Sequence, residues 1–221
     1  MNTLTKRIPL NVLDLIGISE GQTIKEALEQ ALDSAKLLDK LGYKRLWFAE
    51  HHNTISLASM ATSNIIGLAA QVTENIRIGS GGIMLPNHSP LQVAESFGTI
   101  AQLHPDRIDL GLGRAPGTDA QTAQLITRSS ADPQSFANSI LDLIGWFSDK
   151  GLAHNVPVTS NVGTGTNIPI WVLGSSMQGA SIAGQLGLPY SIATHFTPDD
   201  FKAKINQYRS SFKTTAPTAQ I

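Results

Sequence analysis

Short apolar runs alternate with longer amphipathic segments along the chain, and this alternation limits the possible folds most strongly. Six runs have the length and composition of strands. They are Ile8–Leu15, Arg45–Ala49, Ile76–Leu85, Arg107–Gly113, Pro169–Leu173 and Tyr190–Ala193. Strands that alternate with helices are typical of βαβ units, so the pattern predicts a parallel sheet.

The intervening segments have the spacing of apolar residues that helices show. The predicted helices are Thr23–Leu41, Ser59–Val72, Pro90–Leu103, Pro133–Phe147, Met177–Leu186 and Pro198–Phe212. Apart from Pro133–Phe147, the stretch Ala115–Thr166 is irregular and rich in loop residues. Because loops commonly carry specificity, we expect this stretch to form a lid and a pocket wall.

A parallel sheet with helices can be doubly wound or closed into a barrel. A doubly wound nucleotide-binding sheet carries a Gly-rich fingerprint in its first βα turn, and the turn Leu15–Gly21 lacks that spacing. A closed (β/α) barrel has eight units and about 250 residues. We therefore predict an α/β fold of the TIM-barrel type, incomplete, with about six of the eight βα units in a single domain over residues 1–221.

Composition excludes several classes of function. The net charge of -1 gives no basic stripe for nucleic acid, and the absence of cysteine excludes disulfides and thiolate chemistry. No apolar run has the roughly 18 residues of a membrane span. The N-terminus lacks the apolar segment of a signal peptide, so we expect a cytoplasmic protein that is not bound to membranes.

Polar and glycine-rich residues follow the predicted strands, where parallel barrels place their sites. The turn Gly174-Ser175-Ser176 begins a helix, and a helix N-terminus favours anions, although an ordinary serine cap explains the turn as well. Arg114 ends a neighbouring strand and can bind a phosphate with two hydrogen bonds, or form a structural ion pair. Together they favour a phosphate-bearing ligand.

His51 and His52 follow the second strand and allow three interpretations: a metal pair, a general base, or packing. Adjacent residues at a strand end point in opposite directions, and we find no set of carboxylate partners, so we predict no metal site. An imidazole titrates near neutral pH, which suits proton transfer. Gly81-Gly82 within the third run indicates a close backbone approach or a strained peptide, or else a simple bulge.

The strand-end residues and their order along the chain resemble those of the luciferase-like monooxygenases, the flavin-dependent barrel family that includes bacterial luciferase. The subgroup most similar is the luciferase-family oxidoreductase group 1. The similarity covers about Ile8 to Lys213, and its motifs are Ala49–Asn53, Gly79–Pro90, Arg107–Asp119, Leu173–Ser176 and Gln185–Pro189.

The resemblance implies roles for individual residues. His51 matches a candidate active-site base near the reactive edge of a flavin, with His52 beside it. Gly81-Gly82 matches a position that often holds a non-proline cis peptide under the flavin ring, and Arg114 and the Gly174-Ser175-Ser176 turn match phosphate-binding positions. The implied chemistry is oxidation of a small organic substrate by molecular oxygen and reduced FMN. A separate flavin reductase supplies the FMN, a homodimer is expected, and the deazaflavin F420 is a less favoured cofactor.

One departure from the family pattern concerns length. Family barrels continue through a seventh and an eighth strand, so the sequence is expected to be truncated at its C-terminus. It could be a fragment of a longer product, which we favour, a natural deletion variant, or a chain whose second copy covers the open edge. The alternative to an enzyme is a non-catalytic flavin-binding protein or an inactive fragment derived from such a barrel.

Overall fold

A computed structural model describes residues 8–214. In chain order, its strands are β1 (Asn11–Asp14), β2 (Arg45–Phe48), β3 (Arg77–Ser80), β4 (Ile83–Met84), β5 (Ile108–Gly113), β6 (Ile170–Gly174) and β7 (Tyr190–Ile192). Its α-helices are α1 (Ile24–Lys40), α2 (Thr62–Gln71), α3 (Pro90–Leu103), α4 (Ala120–Ile126), α5 (Pro133–Phe147), α6 (Met177–Gln185) and α7 (Phe201–Ser211). A short 3₁₀ helix covers Leu85–Asn87.

The strands form one sheet in the order β1-β2-β3-β5-β6-β7, with β4 paired to β5, and every pairing is parallel. Helices follow the strands and cover the outer face of the sheet. This architecture is an incomplete (β/α) barrel, which confirms the predicted fold class. Each of the six predicted strand regions contains a strand, and two helices, Pro90–Leu103 and Pro133–Phe147, have the predicted bounds.

The third predicted strand is divided. β3 ends at Ser80 and β4 begins at Ile83, with a cis peptide bond between Gly81 and Gly82. Across this break, the Ser80 hydroxyl donates to the Gly111 carbonyl oxygen (2.8 Å) and accepts from the Gly111 N–H (3.0 Å). The serine side chain thus replaces a pair of backbone hydrogen bonds, which keeps both halves of the strand on β5.

Helix α4 was not predicted from the sequence. It has seven residues, none of them buried, so it lacks the apolar face that periodicity detects. Its N-terminus is held by Asp119, whose carboxylate accepts from the N–H groups of Gln121 and Thr122. The helix is therefore defined by its cap and not by burial.

The main core lies between the sheet and its helices. Alternate strand residues point outward and are buried, as the period of two requires. These residues are Leu46, Phe48, Ile78, Ile108, Leu110, Leu112, Ile170 and Val172. They pack with apolar helix residues, including Ala31, Ile66, Phe97, Ile140 and Ala183, into one continuous cluster.

The inner face of the sheet carries a buried ionic cluster near the amino ends of the strands. Asp109 is fully buried and accepts from Arg45 Nε (2.9 Å), Trp47 Nε1 (3.2 Å) and Arg77 Nε (2.8 Å). The Arg45 guanidinium also lies over the ring of Trp171, 5.0 Å from its centroid. One carboxylate thus joins β2, β3 and β5 inside the barrel.

The barrel is open between β1 and β7, since each pairs on one side only within residues 8–214. Leu13 points toward the barrel interior from β1, and 42% of its surface is exposed. None of the helices described combines the length and apolarity that a bilayer crossing requires.

We expect Asp109→Asn to lower the free energy of unfolding by about 3–5 kcal/mol, because it leaves two largely buried guanidinium groups without a counter-charge. Denaturant unfolding followed by circular dichroism measures the change. Asp33→Asn is the matched control, because its pair with Lys36 is exposed, and it should change stability by less than about 0.5 kcal/mol. Equal stability of the two variants would contradict a structural role for Asp109.

Candidate functional site

Glu50 lies at the carboxyl end of β2, and its carboxylate is the centre of the polar residues at the strand ends. The residue is only 1% exposed. Its Oε1 lies 2.7 Å from His52 Nε2, and His88 Nε2 lies 2.9 Å from both carboxylate oxygens. The Met84 N–H donates to Oε2 (2.9 Å), and the Asn87 side-chain amide donates to Oε1 (3.3 Å). All four donors come from residues at the ends of β2 and β4.

These contacts keep Glu50 ionised although it is buried. Burial by itself favours the neutral acid, but the hydrogen bond and the charge of His88, with the hydrogen bonds from His52 and the Met84 N–H, outweigh it and lower the pKa of Glu50 below 4.5. No Lys or Arg contacts the carboxylate in the part of the chain described here. The histidines are thus the groups able to balance its charge.

The same residues join the loop after β2 to the loop after β5. The His52 N–H donates to the Gly117 carbonyl oxygen (3.2 Å), and the Thr118 hydroxyl donates to the His52 carbonyl oxygen (3.0 Å). The Asn87 amide also donates to the Pro116 carbonyl oxygen (2.9 Å). Three loops at the mouth of the barrel are therefore held together around Glu50.

His51 and His52 have different surroundings, as expected for adjacent residues at a strand end. His52 contacts Glu50, whereas His51 Nδ1 is buried and has no hydrogen-bond partner among residues 8–214. Burial lowers the pKa of His51, the charge of Glu50 opposes this effect, and His52 adds to it. His51 is therefore neutral at pH 7 and has a nitrogen free for a ligand. No group of three or more His, Cys, Asp or Glu residues in the described chain has the arrangement of a metal site.

The Gly81-Gly82 peptide is cis, as the resemblance implied, and both glycines are closely packed. A Cβ at Gly81 would lie 2.5 Å from Leu13 Cδ1 and 3.1 Å from Trp47 Cβ, both on the inner face. A Cβ at Gly82 would lie 2.7 Å from the Gly111 carbonyl oxygen. Side chains at these positions would displace neighbours at the base of the mouth, so the absence of side chains is a steric requirement.

Arg114 lies beside the start of α6, the helix that follows the Gly174-Ser175-Ser176 turn. Arg114 Nη2 donates to Gln178 Oε1 (2.8 Å), which places the guanidinium beside the first turn of α6. The Ser176 hydroxyl caps this helix by accepting from the Gly179 N–H (3.1 Å). Since the first turn of a helix has further N–H groups without intrahelical acceptors, this corner offers a cation and backbone donors to one anion.

Not every histidine that follows a strand belongs to this network. His195, which follows β7, is exposed and stacks on Phe196 with ring centroids 4.2 Å apart, and it does not join the Glu50 network. Glu50, Asn87 and His88 lie in the predicted motifs but were not identified as site residues. A carboxylate next to two histidines was the available signal, but the contact with His88, 38 residues away, exists only in the folded chain.

The sequence and the fold of this chain are similar to those of known proteins. The model of the luciferase-like monooxygenase family matches residues 8–219. A luciferase-like monooxygenase of Escherichia coli K12 is 48% identical over 212 residues, which are 96% of this chain and 63% of the relative. An N-acetyl-S-alkylcysteine monooxygenase of Bacillus subtilis 168 is 32% identical over 194 residues, 84% of this chain and 57% of the relative. The chain thus spans less than two thirds of either relative.

Solved structures share the fold. Apo-MsnO8 superposes with a TM-score of 0.87 at 33% identity, over 96% of this chain and 63% of that one. The oxygenating constituent of 3,6-diketocamphane monooxygenase of Pseudomonas putida, solved in complex with FMN, gives a TM-score of 0.74 at 16% identity, over 93% of this chain and 63% of that one. At that identity the second likeness concerns the fold alone.

Because the pKa of Glu50 is lower in the folded protein than in the unfolded chain, the free energy of unfolding depends on pH. Its contribution is complete above the ordinary pKa of 4.5 and is lost as the pH falls through the lower pKa of the folded state. We therefore expect Glu50→Gln to lower the free energy of unfolding by about 1–3 kcal/mol at pH 7, and this difference should shrink as the pH falls below 4.5.

Urea unfolding of both proteins between pH 3 and pH 8 measures this difference. Glu29→Gln is the control, because its carboxylate is 60% exposed and pairs only with Lys25 at 3.7 Å among the residues described. A Glu50→Gln effect of the same size at pH 3 and pH 7 would show that the charge of Glu50 is not the cause.

Proposed function

The chain belongs to the luciferase-like monooxygenase family, and from this membership we propose that it is a flavin-dependent monooxygenase of the two-component type. It uses reduced FMN and molecular oxygen to oxidise a small organic substrate. The observation that carries the proposal is the position of Arg114 beside the first turn of α6. A guanidinium and a helix N-terminus at the strand ends suit the terminal phosphate of FMN.

The residues present fit such a cofactor at several points. Arg114, Ser175 and the first turn of α6 would hold the phosphate, while the closely packed Gly81-Gly82 leaves the base of the mouth free of side chains. The Nδ1 of His51 has no hydrogen-bond partner in the described part of the chain, and a bound ligand could provide one. When bound, reduced FMN supplies the two electrons with which molecular oxygen is activated.

The protein's own residues would orient the ligands and manage protons. His51 and His52 are the proposed acid–base residues, and the neutral His51 can accept a hydrogen bond or a proton. The loops joined through Glu50 lie at the carboxyl ends of the strands and would help to exclude water from a ligand bound there. Since we assign no electron donor to the described residues, a separate flavin reductase is the proposed partner, and a homodimer is the proposed assembly.

We expect Arg114→Ala to weaken FMN binding at least tenfold, because it removes a charge-assisted contact with the phosphate. Quenching of tryptophan fluorescence by FMN measures the affinity, and riboflavin, which has no phosphate, should bind both proteins equally. Arg128→Ala is the control, since its guanidinium is exposed and donates to the carbonyl oxygens of Leu125 and Thr127.

The other outcomes of this titration test the choice of cofactor and the proposed function. If the protein binds F420 and not FMN, the cofactor assignment is wrong while the fold family stands. If it binds neither cofactor, the proposed function is wrong. FMN binding without any oxidation of substrates would favour the alternative of a non-catalytic flavin-binding protein.

We expect His51→Ala to leave the FMN dissociation constant within about twofold and to slow substrate oxidation about 10²-fold or more, because it removes an acid–base group and no phosphate contact. Oxidation is measured by product analysis with a reductase system and a panel of substrates that includes an N-acetyl-S-alkylcysteine, the class named for the Bacillus subtilis relative. If His51→Ala instead weakened FMN binding and left turnover unchanged, His51 would be a cofactor-binding residue and not an acid–base residue.

A further inference from the structure

We propose that Tyr190 of β7 is a positioning residue for the cofactor phosphate: its hydroxyl orients the Gly174-Ser175-Ser176 turn so that two backbone N–H groups face the anion. The inference rests on the proposed function, because a phosphate at the start of α6 is part of that proposal. Tyr190 acts through two carbonyl oxygens of the turn and not through a contact with the ligand. These contacts are present in the protein without any ligand.

The hydroxyl of Tyr190 contacts both ends of the turn. Its oxygen lies 3.2 Å from the Gly174 carbonyl oxygen and 3.3 Å from the Ser176 carbonyl oxygen. A phenol has one proton to donate, so the two carbonyls share it in a three-centre hydrogen bond. Burial raises the pKa of Tyr190 above its ordinary value of 10.0, which keeps the hydroxyl protonated, and therefore a donor, at any physiological pH.

These two contacts determine where the N–H groups of the turn point. In a trans peptide unit the C=O and the N–H lie in one plane and point in opposite directions, and both peptide units of the turn are trans. Tyr190 holds the carbonyl oxygens of Gly174 and Ser176 on its own side. The N–H groups of Ser175 and Met177 belong to the same two peptide units, and they therefore point away from Tyr190.

The N–H groups directed in this way are free to bind an anion. Neither the Ser175 N–H nor the Met177 N–H donates to an acceptor within residues 8–214. The start of a helix also favours negative charge. Arg114 donates to Gln178 Oε1 (2.8 Å) in the first turn of α6, so a cation and the two free N–H groups lie at the same end of this helix.

The conformation of Gly174 agrees with an oriented turn that faces open space. Its φ is 152°, a value that residues with a side chain rarely adopt, so the backbone conformation requires glycine. A Cβ at this position would meet nothing within 4 Å, so crowding does not explain the glycine. The Gly174 carbonyl oxygen also accepts from the Ala193 N–H (3.1 Å), and β7 with the residue after it thus holds this carbonyl from two sides.

The ring of Tyr190 is itself held in place by its neighbours. It stacks on Tyr208 of α7, with ring centroids 5.7 Å apart, and Tyr208 contacts Phe212 edge to face at 5.6 Å. A Cβ at Gly179, in the first turn of α6, would lie 3.9 Å from Tyr190 Cε2. The ring therefore packs between this first turn and α7, which fixes the hydroxyl against the turn.

The test compares the affinities for FMN and riboflavin, which differ only in the phosphate. Tyr190→Phe keeps the ring and removes the hydroxyl, so we expect the FMN dissociation constant to rise about three- to tenfold and that of riboflavin to stay within about twofold. Quenching of tryptophan fluorescence measures both. With a reductase and excess substrate, KM for FMN should rise by the same factor and kcat should stay within about twofold, because the phosphate takes no part in the oxidation.

Tyr208→Phe is the matched control. It also removes a tyrosine hydroxyl that donates to a backbone carbonyl, that of Leu188 (3.0 Å), and it keeps the stacked ring, but no contact with the turn is lost. Its dissociation constants for both flavins should stay within about twofold of those of the parent protein. An unchanged ratio of the two affinities in Tyr190→Phe, or the same change of this ratio in both variants, would overturn the proposal.

A measurement on the ligand-free protein separates this inference from the proposed function. ¹⁵N relaxation gives the order parameters of the Ser175 and Met177 N–H bonds. We expect both to fall in Tyr190→Phe and to stay unchanged in Tyr208→Phe. If they do so while the parent protein binds neither FMN nor F420, the orientation of the turn by Tyr190 stands and the proposed function fails. Unchanged order parameters in Tyr190→Phe would show that Tyr190 does not position the turn.

Discussion

The buried carboxylate of Glu50 is the interaction on which the arrangement of the strand-end loops depends. An ionised carboxylate removed from water is costly unless donors surround it. The donors come from His52, Met84, Asn87 and His88, so the loop after β2 and the segment after β4 must converge on one point. Asn87 and His52 then reach the loop after β5, which extends the same constraint to a third segment.

A second buried carboxylate, Asp109, has the corresponding position at the other end of the strands. Its partners are the guanidinium groups of Arg45 and Arg77, which stay charged at any physiological pH, and it joins three strands inside the barrel. The partners of Glu50 are two imidazoles, a backbone N–H and a side-chain amide, all from residues at the carboxyl ends of the strands. The two ends therefore differ: one carboxylate joins strands of the sheet, and the other joins the loops at the end where barrel folds place their sites.

The inner face also shows why glycines follow one another in the motifs. Gly79 lies opposite Asp109, and a Cβ at Gly111 would collide with the Ser80 carbonyl oxygen. Small residues on β3 and β5 give the space that the indoles of Trp47 and Trp171 fill, with ring centroids 5.3 Å apart. These glycines are therefore a packing requirement inside the barrel.

The sequence by itself determined the order of strands and helices, the incomplete barrel, and the strand-end location of His51, Arg114 and the Gly174-Ser175-Ser176 turn. These follow from local periodicity and from the rule that parallel strands end on one side. It did not determine α4, which buries nothing, or the break at Gly81-Gly82, where the Ser80 hydroxyl replaces backbone hydrogen bonds.

Only the tertiary structure decided that Glu50 is the centre of the candidate site, that His88 and His52 both contact it, and that His51 Nδ1 has no hydrogen-bond partner among residues 8–214. The physical reason is that burial and long-range hydrogen bonding fix these relations. Neither has a period or a spacing that can be read along the chain.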